Sequence, residues 1–205
     1  MIAIIDYGMG NVRSLYNALQ WLGHDAVVTA DEAQINKAER LVLPGVGAFG
    51  DAMAAIRQRG LDELLDRQVR RAGKPMLGIC LGMQLLSKTS EEHGIHAGLG
   101  WLDATVERFE LPVGYKVPHI GWNSLRFAPS EPLFRDLKRG ELNFYFVHSF
   151  HMRCRNPADV IATCDYALEF VAAVRCGNVA AVQFHPEKSQ DNGIQVLRNF
   201  LAWRP

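Results

Sequence analysis

The stretch Lys74 to Leu86, Lys-Pro-Met-Leu-Gly-Ile-Cys-Leu-Gly-Met-Gln-Leu-Leu, changes its hydrophobic period at a single residue. Met76 to Ile79 is an apolar run of strand length behind Pro75, whereas Leu81, Leu85 and Leu86 fall at helical spacing. A buried strand therefore runs straight into a helix, with Cys80 at the joint. Gly78 and Gly82 flank the cysteine without Cβ atoms, so the chain can turn sharply and another backbone can come close. This is the sulfur counterpart of the Gly-x-Ser-x-Gly elbow that lifts a nucleophile to the top of a sheet. The partial positive charge of a helix N-terminus would favour the thiolate. Taken locally, the alternative is a small buried hydrophobe, the usual fate of a lone intracellular cysteine.

An elbow of this kind sits in a parallel sheet, and the first half of the chain supplies one. Ile2 to Ile5 reads as a buried strand, the loop Asp6-Tyr7-Gly8-Met9-Gly10-Asn11 as a tight turn, and Val12, Leu15, Leu19 and Leu22 as a helix that Gly23 ends. Arg13 stands where Gly-x-Gly-x-x-Gly needs its third glycine, so the loop is a turn, with Asn11 or Ser14 supporting the helix start, rather than a dinucleotide site. Ala26 to Thr29 is a second strand, and a polar connection leads to a third at Arg40 to Leu43. Pro44-Gly45-Val46-Gly47-Ala48-Phe49-Gly50 follows, before a helix from about Asp51 that Gly60 interrupts. It is either a plain loop or a source of uncovered backbone N–H groups for an oxyanion beside the nucleophile. Leu61, Leu64, Leu65 and Val69 stripe the helix that precedes the Cys80 strand. Strand and helix thus alternate as in a doubly wound sheet with right-handed crossovers.

After Gly98 the texture becomes richer in β structure, with short strands at Ala104 to Phe109, Phe144 to Val147, Val160 to Thr163, Val171 to Arg175 and Val179 to Phe184. Cys176-Gly177-Asn178 reads as a hairpin turn, and Ile194, Leu197 and Leu201 mark a closing helix from about Gln190. With no internal repeat, linker or charge block, the expected architecture is one α/β domain over residues 1–205. Its central, mostly parallel sheet is flanked by helices and gains antiparallel strands in the C-terminal half.

Twenty-two basic residues balance twenty-two acidic ones, which gives no electrostatic reason to expect a nucleic-acid or anionic-membrane partner. The cysteines at 80, 154, 164 and 176 have no metal-site spacing, so no metal or cofactor is expected and reduced thiols in a cytoplasmic protein are the simplest account. The opening apolar run is too short for a secretory signal, and no segment has the length of a membrane span.

A thiolate that attacks an amide needs a proton carrier for the leaving group, and histidine is the usual choice. His24, His93 and His96 lie in polar contexts, whereas His119 and His148 lie beside aromatic-rich segments, where either can hydrogen-bond within the fold. His185 stands out because Gln183-Phe184-His185-Pro186-Glu187-Lys188 comes straight off an apolar strand. In extended chain, residues two apart point the same way, so Glu187 can orient and charge-stabilise the His185 ring. The competing account is a loop with a solvated carboxylate. Beside Cys80, the two motifs suggest a Cys-His-Glu triad.

Gly78-Ile79-Cys80-Leu81-Gly82-Met83-Gln84 together with Phe184-His185-Pro186-Glu187-Lys188-Ser189 resembles the class I (triad) glutamine amidotransferases over nearly the whole chain. Within that family, the Ile5 to Asn11 opening, Pro44 to Phe49, Pro118-His119-Ile120-Gly121-Trp122-Asn123 and Tyr145-Phe146-Val147-His148-Ser149 resemble the glutaminase subunits of imidazole glycerol phosphate synthase, from histidine biosynthesis. The resemblance implies that Cys80 attacks the side-chain amide of glutamine, His185 protonates the departing ammonia and Glu187 holds His185. It implies an oxyanion hole from backbone around Leu81 and the Pro44 to Gly47 strand, Gly45 and Val46 included, with Gly47, Gln84, His148 and Ser149 helping to bind glutamine. It also implies a heterodimer with a cyclase subunit that takes up the ammonia and makes imidazole glycerol phosphate and an aminoimidazole carboxamide ribotide. Ile120, Trp122, Asn123, Tyr145 and Lys188 would meet that partner, although core packing is an equal account of Trp122 and Tyr145. Ile120 and Phe150 depart from the methionine and tyrosine expected there. Other acceptors would be those of pyridoxal phosphate or aminodeoxychorismate synthesis; a redox or protease-like thiol protein would have no use for Glu187, and a silent partner subunit none for the triad.

Overall fold

The computed structural model of the protein describes residues 1–137 and 142–205. In chain order its main elements are β1 (Ile2–Ile5), α1 (Val12–Trp21), β2 (Ala26–Thr29), α2 (Glu32–Lys37), β3 (Arg40–Gly45), α3 (Phe49–Gln58), α4 (Leu61–Leu65), β4 (Met76–Cys80) and α5 (Leu81–Gln84). There follow β5 (Thr89–Ser90), β6 (His96–Ala97), β7 (Ala104–Arg108), β8 (His119–Phe127), β9 (Asn143–His148), β10 (Phe150–Cys154), β11 (Val160–Asp165), β12 (Glu169–Cys176), β13 (Val179–Val182) and α6 (Gln190–Ala202).

The main sheet runs in the order β2-β1-β3-β4-β13-β12-β11-β8-β9. Its first five strands are parallel and the rest antiparallel, as expected from the sequence. A smaller sheet, β10-β7-β5-β6, lies beside it. β4 is buried along its whole length, because parallel strands at the middle of such a sheet are covered on both faces. Leu77 and Ile79 pack with Leu15 and Leu19 of α1 and Val196 and Phe200 of α6. Met76 packs with Phe49, Ile56 and Leu64 from α3 and α4 on the opposite face. From β1 the chain crosses to β2 on one side and then to β3 on the other, and the carboxyl ends at such a reversal are where open α/β sheets place ligands.

β5, β6 and β10 lie outside the expected strands, and three further elements also differ from expectation. The polar connection after β2 contains the short α2, whose Asp31 caps it by accepting from the Gln34 N–H at 2.9 Å. α5 is a single turn, so the helix behind Cys80 contributes far less dipole than a long one would. β8 is a nine-residue strand that the apolar pattern does not announce, because Ile120 and Trp122 stand at its exposed positions while His119, Gly121 and Asn123 alternate with them on the inner side.

Candidate active site

Cys80 ends β4 with φ 55° and ψ −113°, a conformation that a side chain disfavours and that an elbow imposes. Its glycine neighbours explain how the strain is held. A Cβ on Gly82 would lie 1.9 Å from the Leu43 carbonyl oxygen, and one on Gly78 would lie 2.9 Å from the Gly82 carbonyl oxygen. The elbow is therefore pressed against β3 on one side and against its own following turn on the other. In the β3–β4 ladder Gly45 sits opposite Cys80, and in the β13–β4 ladder Val182 sits opposite Ile79. The chain leaving β13 thus passes the elbow, carrying His185 three residues later.

His185 is buried, and its Nδ1 is 2.9 Å from Glu187 Oε1, with both side chains almost wholly out of solvent. The carboxylate accepts from Nδ1–H, which turns Nε2 towards Cys80. Nε2 is buried with no hydrogen-bond partner of its own. Burial alone would discourage charge on the ring, but the Cys80 sulfur and the Glu187 carboxylate outweigh it and lift the His185 pKa to about 9. The ring is therefore flanked by both groups. Asn11 supports the same carboxylate: instead of capping α1, its amide donates to Glu187 Oε1 at 3.2 Å. Among the described residues no group of histidine, cysteine and acidic side chains could hold a metal ion.

A cleft of about 350 Å³ opens over the thiol. Val46, Gly47, Leu81, Gln84, His148 and Ser149 line it together with Cys80 and His185; Gly45 does not, being buried behind the strand end. The side chains divide the polar work unevenly. Gln84 spends its amide N–H groups on the Phe150 carbonyl and Gln183 Oε1, each at 2.9 Å, so its carbonyl oxygen is what it can offer a ligand. His148 Nδ1 lies 2.8 Å from the Phe150 carbonyl and must donate to it, which makes Nε2 the acceptor for His119 Nδ1–H at 3.2 Å. Both ring nitrogens are committed, and the His148 ring acts as a wall. Phe150 supplies its carbonyl to both neighbours, a contact that needs no hydroxyl on its ring.

Besides Asn11, expected only to support the helix start, two contributors escaped the sequence. Gln183 is fully buried in β13's exit and its amide donates to Cys80 Sγ at 3.8 Å; its place two residues before His185, on the same side of extended chain, was the available signal. Glu92, in the loop between β5 and β6, brings a carboxylate to the cleft while Oε2 accepts from the Phe49 N–H at 2.7 Å. Nothing in the local sequence distinguishes it from a surface acid.

On one face beside the triad, Ile120 and Trp122 are 59% and 47% exposed, so Trp122 is not core. Trp122 pairs with Tyr145 across β8 and β9, and Lys188 Nζ lies 5.6 Å from the centre of the Tyr145 ring. Asn123 is tied down by its amide donating to the Asp165 carbonyl at 2.7 Å. The Tyr145 carbonyl accepts from the His185 N–H at 2.9 Å, so this face and the triad share a backbone hydrogen bond.

The sequence model of the family described as glutamine amidotransferase class-I matches residues 3–203. The chain is 50% identical to imidazole glycerol phosphate synthase subunit HisH 2 of Nitrobacter winogradskyi, over all of this chain and 99% of that one. It is 51% identical to imidazole glycerol phosphate synthase subunit HisH of Moorella thermoacetica, over 97% of this chain and 93% of that one. Among solved structures, PurLQS from Thermotoga maritima superposes with a TM-score of 0.75 at 21% identity, covering 98% and 97% of the two chains. A glutamine amidotransferase crystal structure superposes at 0.73 and 22%, covering 98% of each; both establish the likeness of fold.

Proposed function

Because the chain belongs to the class I glutamine amidotransferases, we propose that it is the glutaminase subunit of imidazole glycerol phosphate synthase and that Cys80, His185 and Glu187 perform its hydrolysis of glutamine. The observation that carries the chemistry is the position of the His185 ring, with Glu187 on Nδ1 and the sulfur of Cys80 raising its pKa from the other side. Relatives half identical over their whole length carry the synthase subunit name, which sets aside the pyridoxal phosphate and aminodeoxychorismate acceptors.

Glutamine enters the cleft with its side-chain amide over the elbow and its ammonium group near the Glu92 carboxylate. The Cys80 thiolate adds to the amide carbon, and the carbonyl oxygen takes the negative charge, where backbone N–H groups of Leu81 and of the Val46–Gly47 segment receive it. His185 gives its Nε2 proton to the amide nitrogen, the C–N bond breaks, ammonia leaves and a glutamyl thioester remains. The ring, now neutral, takes a proton from water as the water oxygen attacks the thioester. The C–S bond breaks, glutamate departs, and Cys80 and His185 return to their starting charges. Glu187 keeps Nδ1 protonated throughout, so that only Nε2 exchanges protons.

The ammonia goes to a cyclase subunit, docked on the face of Ile120, Trp122, Asn123, Tyr145 and Lys188, for the synthesis of imidazole glycerol phosphate and an aminoimidazole carboxamide ribotide. The test is reconstitution with the cyclase from the same source. Glutaminase turnover should be slow for the chain alone and rise by orders of magnitude with the cyclase and its nucleotide ligand. Cys80→Ala should abolish glutamine-dependent synthesis and leave ammonium-dependent synthesis intact. Equal glutaminase rates with and without the cyclase, or loss of both syntheses in Cys80→Ala, would refute the coupled reading.

A further inference from the structure

Tyr7 lies just past β1 and is 1% exposed, and its hydroxyl donates to the Pro44 carbonyl at 2.8 Å. The same oxygen presses on the neighbouring residue: a Cβ built on Gly45 would stand 2.4 Å from it. Pro44 and Gly45 are paired with Ile79 and Cys80, so the phenol is wedged behind the strand end that faces the nucleophile. Burial, and after it the charge on Cys80, push the Tyr7 pKa well above its ordinary value, so the hydroxyl stays a donor at any working pH. Beyond Gly45 the constraint ends abruptly. Val46 is 41% exposed and Gly47 takes a φ of +94°, which residues with side chains rarely adopt.

We propose that Tyr7 is a positioning residue for glutamine hydrolysis: its hydroxyl clamps the last sheet-bound peptide, Pro44–Gly45, so that the backbone N–H groups just beyond it are delivered to the oxygen that becomes negative over Cys80. The inference rests on the proposed role of the Val46–Gly47 segment in the oxyanion hole. Pro44 has no N–H of its own, so the peptide carbonyl that Tyr7 holds is the natural handle at this point. A phenylalanine would keep the packing and remove only the clamp.

The test is Tyr7→Phe in the reconstituted synthase. We expect kcat for glutamine to fall about tenfold, less than the loss of a whole oxyanion donor, with KM and ammonium-dependent synthesis unchanged. The rate at which iodoacetamide alkylates Cys80 should keep its wild-type pH profile, because that displacement builds no charge on a carbonyl oxygen. Tyr7→Leu, which also lacks the hydroxyl, should show the same split. Wild-type kcat in Tyr7→Phe would overturn the inference, as would an equal fall in alkylation, which would place the effect on the sulfur. An equal fall in ammonium-dependent synthesis, or circular dichroism showing unfolded protein at the assay temperature, would make the role structural and overturn it too. Cys80→Ala run alongside separates the two levels: if it retains glutaminase activity the triad itself fails, whereas an inactive Cys80→Ala beside a fully active Tyr7→Phe removes only the Tyr7 role.

Discussion

His185 is caught between two groups that both favour its proton, and the consequence is a pH dependence with a definite sign. With its pKa lifted to about 9, the ring is an imidazolium at neutral pH and can deliver the Nε2 proton to departing ammonia. As pH rises through about 9 that proton is lost, so kcat/KM for glutamine should descend on a limb near that value. Glu187→Gln removes one of the two charges that hold the proton. Its limb should move to lower pH, with turnover reduced by on the order of 10²–10⁴ as in triads that lose their orienting carboxylate. A limb that stays in place would mean that Glu187 does not set the His185 charge. Asn11 offers a finer test. Because its amide donates to Glu187 and caps nothing, Asn11→Ala should leave the unfolding midpoint nearly unchanged while lowering kcat by about tenfold or more, the scale of one hydrogen bond to a charged group. A large drop in unfolding temperature with normal kcat would show a purely structural residue.

Elements were legible where their signal was strong and local. β1, α1, β3, β4 and α6 follow the apolar period closely, and the elbow could be placed at Cys80 because strand and helix periods meet there. The meeting of Cys80 and His185 was legible for the same reason: each leaves a buried strand, and parallel pairing of β4 with β13 brings those strand ends together. What was not legible depends on tertiary contact. α2 is too short to show a period and rests on its Asp31 cap. β8 alternates exposed and buried residues that only β9 and β11 make into a strand. Asn11 and Glu92 reach the site across long sequence separations that no spacing encodes, and Gln183, although two residues from His185, meets Cys80 only because β4 and β13 pair. The glycines could be named from sequence, but their neighbours could not. Gly82→Ala would thrust a methyl carbon against the Leu43 carbonyl, where neither backbone can yield without breaking the β3–β4 ladder. We expect a loss of about 1–3 kcal/mol or more in denaturant unfolding. A Gly82→Ala protein of wild-type stability and activity would mean that the elbow relaxes freely.

At the scale of the molecule, the interior beside the cleft is a neutral histidine cluster and the rim above it is an open apolar face. Burial pushes the His119 pKa down to about 4 and the His148 pKa down to about 3, and lowers that of His151 as well. The unfolded chain therefore binds protons below about pH 6.5 that the native protein refuses. The stability these residues contribute is fully present above that pH and is lost as pH falls towards 4. His119→Asn, whose amide can replace the Nδ1 donor to His148, should flatten the fall of unfolding temperature across this window; an unchanged slope would exclude His119 as a cause. The rim answers to a different measurement. Trp122 stands half exposed against Tyr145, whose carbonyl holds the His185 N–H, so its ring adds little to the fold but presents a large apolar surface to a partner. An anchor of this kind is typically worth about 2 kcal/mol or more in an interface. Trp122→Ala should therefore leave the unfolding temperature of the isolated chain close to wild type, weaken binding of the cyclase subunit by roughly thirtyfold in calorimetry, and lower glutaminase turnover only at sub-saturating cyclase. Binding within twofold of wild type would place the docking face elsewhere, and a large loss of stability in the isolated chain would return Trp122 to the core.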